Sequence, residues 1–113
     1  MSVCIKPLTP FIYVHTINHV EITFDTTKDS ANIAKHGVSL VEASRLEWDT
    51  ALIWVDSRKN YREVRKSALA VLVNRVFFVA FVDRADGRRI ISLRKANQRE
   101  FDRYVAYLDS SHR

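Results

Sequence analysis

The sequence is poor in the residues that crosslink or interrupt a fold: its 113 residues include one cysteine, two glycines and two prolines. The single cysteine, Cys4, cannot form an internal disulfide, and no group of Cys and His has the spacing of a structural zinc site. Two glycines are too few for a glycine-rich phosphate loop or a nucleophile elbow. These absences exclude a disulfide scaffold, a zinc finger and most nucleotide-binding enzymes. We expect neither a metal nor a cofactor.

A long apolar segment is also missing. The most apolar stretch, residues 7–20, is interrupted by Pro10, His15, Asn18 and His19, so it is too short and too polar to span a bilayer. It also lacks the continuous apolar run and the small-residue cleavage site of a signal peptide. Together with the single cysteine, this predicts a cytoplasmic protein without a membrane contact.

The net charge of the sequence indicates a class of partner, and its length indicates the number of domains. Eighteen Lys and Arg against thirteen Asp and Glu give a formal net charge of +5, which favours a phosphate-bearing or acidic partner without proving one. The length suits one domain, which we expect over residues 19–109, with a tail over 110–113. Residues 1–18 form an N-terminal extension. It is equally compatible with an edge strand, a tail that folds on a partner, or the product of an upstream start codon.

The first half of the domain is predicted as one strand and two short helices. Residues 19–24 alternate as in a strand. Asp25 then provides an N-cap and Gly37 a left-handed C-terminal stop, which predicts a helix over 26–36. A capping-box pattern at the start of residues 39–47 predicts a second helix there.

The second half is predicted as a meander of strands followed by a helix. Stretches rich in β-branched and aromatic residues cover 53–56, 62–73, 76–83 and 89–94, with turns at 74–75 and 84–88. Asn97 to Glu100 again has capping-box form, and apolar residues recur at helical spacing as far as Leu108. The fold class is therefore α+β: an antiparallel sheet of about four strands, two short N-terminal helices and one C-terminal helix. We expect the helices on one sheet face and the other face open.

Polar side chains of the first predicted helix form one candidate site. At spacings of four, seven and eight residues they fall in one stripe: Lys28, Asn32, Lys35 and His36. The stripe suits contact with a phosphate backbone, and it equally suits a solvated helix face. His36 is the candidate for proton transfer, because a histidine titrates near neutrality.

The strands supply candidate phosphate ligands. Strict alternation puts Arg65 and Ser67 on one face of their strand. It puts Ser92 and Arg94 on one face of the last strand and Arg89 on the other. Arg65 and Arg94 are therefore expected to converge on the open face, where guanidinium groups bind phosphate oxygens bidentately. The alternative is that these arginines pair with nearby carboxylates as ordinary edge charges.

Four further residues have two interpretations each. Glu100 fits the acid of the capping box better than a catalytic base. Tyr104 suits the core, although its hydroxyl is also a candidate for catalysis. Trp48 and Trp54 flank a loop and are candidates for stacking on bases, but packing is the favoured interpretation.

Three segments together carry a family resemblance. Residues 24–37 contain Phe-Asp, then Lys28, Asn32 and the triplet Lys-His-Gly; residues 61–65 form Tyr-x-Glu-x-Arg; residues 89–104 form Arg-Ile-Ile-Ser-x-Arg-x-Ala followed by Glu100 and Tyr104. In this order and spacing the chain resembles the BrnT family of type II toxins. It departs from the family pattern at Phe24, where Trp is usual, and at Ala70, where Gly is usual.

The resemblance implies a RelE-like fold and an endoribonuclease that cleaves RNA without a metal ion. In that reaction a ribose 2′-hydroxyl attacks the adjacent phosphate, leaving a cyclic phosphate and a free 5′-hydroxyl. Arg65 and Arg94 would hold the scissile phosphate while Lys35 adds positive charge. His36 would act as general acid or base, with Tyr104 a weaker candidate. Further RNA contacts are expected from a set of polar residues: Lys28, Asn32, Ser67, Arg89 and Ser92.

The family also implies a partner, a BrnA-like antitoxin with a ribbon-helix-helix DNA-binding part. DNA would then be contacted only through the antitoxin. Two other functions stay open at this point: a basic RNA- or ribosome-binding module without catalysis, and a domain whose exposed sheet docks a protein.

Overall fold

The computed structural model describes residues 20–58 and 62–111. Within these ranges the elements, in chain order, are β1 (Ile22–Thr23), α1 (Thr26–His36), a first 3-10 helix (Leu40–Arg45), a second 3-10 helix (Trp48–Thr50), β2 (Leu52–Val55), β3 (Lys66–Leu72), β4 (Arg75–Arg84), β5 (Gly87–Lys95) and α2 (Gln98–Ser111). The class is α+β, as predicted. No helix of the described ranges is long and apolar enough to cross a membrane.

The strands form one mixed sheet in the order β1-β5-β4-β3-β2. β2 to β5 pair in antiparallel fashion, whereas β1 runs parallel to β5. The expectation of about four strands, all antiparallel, is therefore wrong by the added edge strand. Gly87 permits the addition, because a Cβ there would lie 2.7 Å from the carbonyl oxygen of Glu21. That oxygen accepts a 2.9 Å hydrogen bond from the backbone N–H of Arg88.

Both ends of α1 have the caps that the sequence predicts. The Asp25 carboxylate accepts hydrogen bonds from the backbone N–H groups of Thr27 at 2.7 Å and Lys28 at 3.3 Å. Gly37 follows the last turn in the left-handed conformation, with φ of 74°. The helix predicted over 26–36 is confirmed at both boundaries.

The second predicted helix, over 39–47, is not an α-helix. Its buried residues Leu40, Ala43 and Leu46 recur at every third position, which matches the three residues per turn of a 3-10 helix. The predicted capping box does not close, because the Glu42 carboxylate binds a neighbouring arginine at 2.8 Å. The second of the two predicted short helices is therefore present, but as a 3-10 helix over Leu40–Arg45.

Helices cover both faces of the sheet. α1 and the first 3-10 helix pack on one face, called here the α1 face, over a core that includes Phe81, Ile90 and Leu93. α2 packs on the opposite face, called the α2 face, where Leu69 and Tyr104 are buried. The expectation of one open face is wrong, because β3 and β4 bury residues on both sides and both sets need cover.

The strand boundaries lie within two residues of the prediction except at β1, which covers Ile22–Thr23 where 19–24 was predicted, and at the start of β3. β3 begins at Lys66, so the first part of the predicted strand 62–73 is not extended sheet. The turn to β4 is Val73–Asn74, one residue earlier than predicted. The predicted extension, residues 1–18, lies outside the described residues, and the proposed domain limits stay a prediction.

One buried side chain ties α1 to the edge of β5. Asn32 accepts a 3.2 Å hydrogen bond from the N–H of Leu93 and donates to the carbonyl oxygens of Leu93 at 2.8 Å and Val38 at 2.9 Å. The amide thus pairs with β5 as a further strand would. Asn32 is 6% exposed and both amide hydrogens are in use, so we assign it a structural role in place of the predicted RNA contact.

The replacement Asn32→Ala should destabilise the protein by about 2–4 kcal/mol, because it leaves backbone groups of β5 buried without partners. Equilibrium urea unfolding followed by circular dichroism measures the loss. Ser30→Ala, on the exposed side of the same helix, is the matched control and should change stability by less than about 0.5 kcal/mol. Equal stability of the Asn32→Ala and wild-type proteins would contradict the structural role.

Candidate functional site

A bulge in β5 decides which side chains share the α2 face. Ser92 pairs with Ala80, but the next residue of β4, Phe81, pairs with Ile90. Ile91 is therefore the additional residue of β5, and the in–out alternation changes phase across it.

The change of phase brings Arg89 onto the α2 face with Ser92 and Arg94. Arg89 lies opposite Val82, and Arg94 lies opposite Phe78, which packs against the α2 cluster. The prediction that Arg89 lies on the other face is wrong, because strict alternation takes no account of an inserted residue. The α2 face therefore carries one more arginine than the sequence pattern indicates.

The guanidinium of Arg94 is held by contacts on several sides. It forms a bidentate ion pair with Glu100 at 2.8 and 2.9 Å, and its carbon lies 4.3 Å from the centre of the Phe78 ring. A 3.3 Å hydrogen bond to the Lys95 carbonyl adds to these contacts. The side chain remains 31% exposed. It is thus oriented in advance, with a carboxylate in the position where a phosphate would bind bidentately.

Glu100 also closes the capping box of α2. Its backbone N–H donates to Asn97 Oδ1 at 2.9 Å, and its carboxylate accepts from the backbone N–H of Asn97 at 2.9 Å. The predicted capping role is confirmed. The hydrogen bond from Arg94 is the main reason that the pKa of Glu100 lies below its usual 4.5, and it outweighs the opposing effect of burial.

His36 and Lys35 form the last turn of α1, close to Arg94. Burial is the main cause that lowers the pKa of His36 below 6.5, and the charges of Lys35 and Arg94 lower it further. His36 is therefore largely neutral at pH 7 and able to accept a proton. Three of the residues predicted to be catalytic thus meet beside one end of β5.

Arg65 and Arg89 form a second basic cluster on the α2 face. Both carry charges that lower the pKa of Glu63, although the largest effect on it is the hydrogen bond from Arg84, with contacts of 2.8 and 3.1 Å. Arg89 and Arg94 pair with residues four positions apart on β4, so their Cα atoms lie about 13 Å apart. Arg65 and Arg94 therefore share a face, as predicted, but they belong to two neighbouring clusters.

Two predicted site residues besides Asn32 are buried. Ser67 and Tyr104 are each 2% exposed, and the Tyr104 hydroxyl donates to the carbonyl oxygen of Thr50 at 3.1 Å. We assign both to packing in place of the predicted RNA contact and catalytic role. The remaining predicted contacts are accessible, since Lys28 is exposed and Ser92 is half-buried.

The two tryptophans differ in their surroundings. Trp48 is 8% exposed, meets Phe81 edge-on and donates from Nε1 to a backbone carbonyl, so its packing role is confirmed. Trp54 is half-buried on the α2 face, with the guanidinium carbon of Arg103 4.2 Å from its ring centre. Sequence reasoning missed Arg103, because helical periodicity places it on α2 without showing which strand α2 covers.

Two further observations concern metal ligands and the Tyr-x-Glu-x-Arg motif. Within residues 20–58 and 62–111, no group of three or more His, Cys, Asp or Glu side chains is arranged to hold a metal ion. Tyr61, the first residue of the Tyr-x-Glu-x-Arg motif, lies outside the described residues.

The fold and these side chains define a small basic α+β domain with an arginine-lined sheet face. Comparison with known families is more specific: residues 24–100 match the family described as the ribonuclease toxin, BrnT, of a type II toxin-antitoxin system. The chain belongs to this family, and a type II system implies a protein antitoxin as its partner. No curated protein matches the chain.

The replacement Glu100→Gln should reduce the loss of stability in acid. Because the pKa of Glu100 is lowered in the folded state, its contribution is complete above pH 4.5 and is lost as the pH falls through the lower folded value. Gln at this position still closes a capping box, so only the charge pairing is removed. The free energy of unfolding at pH 7 should be higher for the wild type than for the variant by about 1–2 kcal/mol, after allowance for solvent screening.

Urea unfolding between pH 3 and 7 measures this difference, which should shrink below pH 4.5. Asn97→Ala is the complementary variant, because it weakens the cap and leaves the Arg94–Glu100 ion pair in place. A Glu100→Gln difference that stays constant over the whole range would show that the ion pair contributes nothing.

Proposed function

We propose that the chain is a metal-independent endoribonuclease toxin with a RelE-like fold, which cleaves mRNA in the cytoplasm and so inhibits translation and growth. The observation that supports this most is that the charge of Arg94, at the end of a basic sheet face, is near enough to contribute to the lowered pKa of His36. A guanidinium that binds phosphate and a neutral imidazole nearby supply two groups that RNA transesterification uses, a charge-stabilising donor and a proton acceptor. The toxin domain is proposed to span residues 19–109.

In the proposed reaction the 2′-hydroxyl of one ribose attacks the adjacent phosphorus. His36 accepts the proton of that hydroxyl, and Arg94 binds the two non-bridging phosphate oxygens, whose negative charge grows in the transition state. The bond from phosphorus to the 5′ oxygen breaks, and the leaving oxygen takes a proton from a solvent water molecule, whose hydroxide is neutralised by the proton that His36 accepted. Lys35 adds positive charge beside the leaving group. The products are a 2′,3′-cyclic phosphate and a 5′-hydroxyl.

The cluster of Arg65 and Arg89 is proposed to bind the RNA backbone beyond the scissile phosphate. Its position about 13 Å along the face from Arg94 suits a second phosphate of the same RNA strand, which the two arginines would attract by their charge. Lys28 and Ser92 are proposed as further contacts. The antitoxin partner is proposed to be BrnA-like, with a ribbon-helix-helix part that alone binds DNA, and to cover this basic face.

Purified protein should cleave RNA in the presence of EDTA, and Arg94→Ala should slow cleavage by about a hundredfold or more, because a charged donor to the transition state is lost. Arg94→Lys should recover only part of the rate, since an ammonium cannot bind bidentately. The matched control is Arg75→Ala, an exposed arginine at the β3–β4 turn on the α1 face, which should leave the rate unchanged.

Gel analysis of a labelled RNA gives the rate, and chromatography of the product identifies the cyclic phosphate. Inducible expression adds a growth readout: the wild type should arrest growth and Arg94→Ala should not. Intact RNA with folded wild-type protein would contradict the enzyme, and binding without cleavage would favour a non-catalytic RNA- or ribosome-binding module. Activity that disappears in EDTA and returns with a divalent cation would contradict metal independence.

The cleavage rate should fall in acid with a midpoint below pH 6.5, because His36 must be neutral to accept a proton and its pKa is lowered. His36→Gln should abolish this acidic limb and reduce the rate by about a hundredfold or more. Lys35→Gln should move the limb to higher pH, since it removes one of the charges that lower the pKa of His36. An acidic limb that survives in His36→Gln would assign the proton transfer to another group.

A further inference from the structure

Trp54 is a half-buried aromatic residue on the α2 face. It stands on the edge strand β2, opposite Ser67 of β3, in a row that continues to Ser92 of β5. Trp48, by contrast, is enclosed in the core of the other face. Of the two tryptophans, only Trp54 is therefore placed to contact a ligand on the basic face.

The Trp54 ring belongs to a continuous row of contacting aromatic rings and guanidinium groups. The Arg103 guanidinium lies over it at 4.2 Å, and its centre is 6.2 Å from that of Phe78, tilted by 56°. Phe78 in turn carries the Arg94 guanidinium at 4.3 Å. Since both distances meet at the Phe78 ring, Trp54 and Arg94 are separated by one aromatic side chain. A nucleotide whose phosphate binds at Arg94 is therefore one aromatic side chain away from the Trp54 ring.

Arg103 differs from the other arginines of this region in its partners. Arg94 and Arg84 both form bidentate contacts with glutamates. Arg103 makes no hydrogen bond or ion pair with a residue that the structure describes, and its contact with the Trp54 ring is the interaction that positions it. Its guanidinium donors are therefore available to an incoming anion.

We propose that Trp54 is a base-stacking subsite for single-stranded RNA, next to the scissile phosphate, and that Arg103 is its phosphate-binding partner. A nucleobase takes the position over the ring that the guanidinium holds, and the guanidinium turns to the phosphate of that nucleotide. The exchange is favourable, because a base stacks on an aromatic ring more strongly than an exposed cation does. The location beside the scissile phosphate rests on the proposed function; the stacking itself does not.

The subsite explains how a face with few base-reading groups can hold RNA in register. Stacking tolerates any base, because each has a π-face, so Trp54 favours unpaired nucleotides over a duplex without selecting a sequence. The occupant is therefore single-stranded RNA of broad sequence.

Fluorescence of Trp54 tests the proposal directly. In Trp48→Phe the remaining tryptophan is Trp54, and titration with a 2′-O-methyl RNA oligonucleotide, which cannot undergo 2′ attack, should quench it saturably. Trp54→Ala, made in the wild-type background and measured by anisotropy of a labelled oligonucleotide, should weaken binding about tenfold or more, and Trp54→Phe should recover most of the loss. This second measurement stands even if Trp48→Phe fails to fold.

Arg103→Ala should weaken binding and lower the salt dependence by about one released ion. The matched control is Phe101→Ala, which removes an exposed aromatic side chain of α2 and should leave the affinity unchanged. Wild-type affinity in Trp54→Ala, binding without quenching, or absence of binding would overturn the subsite. RNA cleavage without quenching would overturn it and leave the nuclease intact, whereas quenching by an RNA that stays uncleaved would support the subsite and reject the nuclease.

Discussion

The inserted residue Ile91 in β5 is the constraint on which the arrangement of the site depends. Because of it, Ile90 and Leu93, three positions apart, both point into the core under α1, where each is fully buried. The same insertion turns Arg89 to the face that already carries Arg94. Without the bulge, Ile91 would take the place of Ile90 opposite Phe81, and Arg89 would leave the α2 face for the position opposite Asp83 that Arg88 now holds. Packing of the core and charge on the opposite face are therefore set by one backbone irregularity.

Glu100 links the stability of the fold to the state of the site. One carboxylate closes the N-terminal cap of α2 and binds the Arg94 guanidinium. An RNA phosphate has to share or take those guanidinium donors, so substrate binding acts directly on the first turn of α2. An orientation fixed in advance reduces the entropy cost of binding, while competition with the carboxylate keeps ground-state binding of phosphate moderate.

Local signals in the sequence were sufficient to predict the two α-helices, α1 and α2. Asp25 and Gly37 at the ends of α1, and Asn97 with Glu100 at the start of α2, form the hydrogen bonds that their side chains predict, because capping depends on residues within one turn. Strand identities were predictable for the same reason, since β-branched and aromatic runs mark them. The family resemblance, carried by three separated motifs, was also visible without coordinates and is confirmed.

Features that depend on distant pairing were not predictable in this way. The bulge becomes visible only when β5 is aligned with β4, and the cover of both sheet faces only when α2 is seen against β3 and β4. Asn32 was grouped with polar ligands because its spacing matched the polar stripe, yet its amide serves the edge of a strand 61 residues away. Tyr104 was a weaker candidate because its hydroxyl could reach the site, but it is buried and that hydroxyl donates to the backbone carbonyl of Thr50. Side-chain type and spacing thus predict a basic face. They do not show which of the polar side chains are already used in tertiary contacts.

In the proposed reaction one phosphodiester binds at the edge of the sheet, between Arg94 on the α2 face and His36 at the end of α1. A crystal structure of the His36→Gln protein with a 2′-O-methyl RNA oligonucleotide tests it most directly. A phosphate should lie within hydrogen-bond distance of the Arg94 guanidinium, next to the substituted side chain at the end of α1. RNA bound on the α1 face, or bound on the α2 face with no phosphate near Arg94, would contradict it.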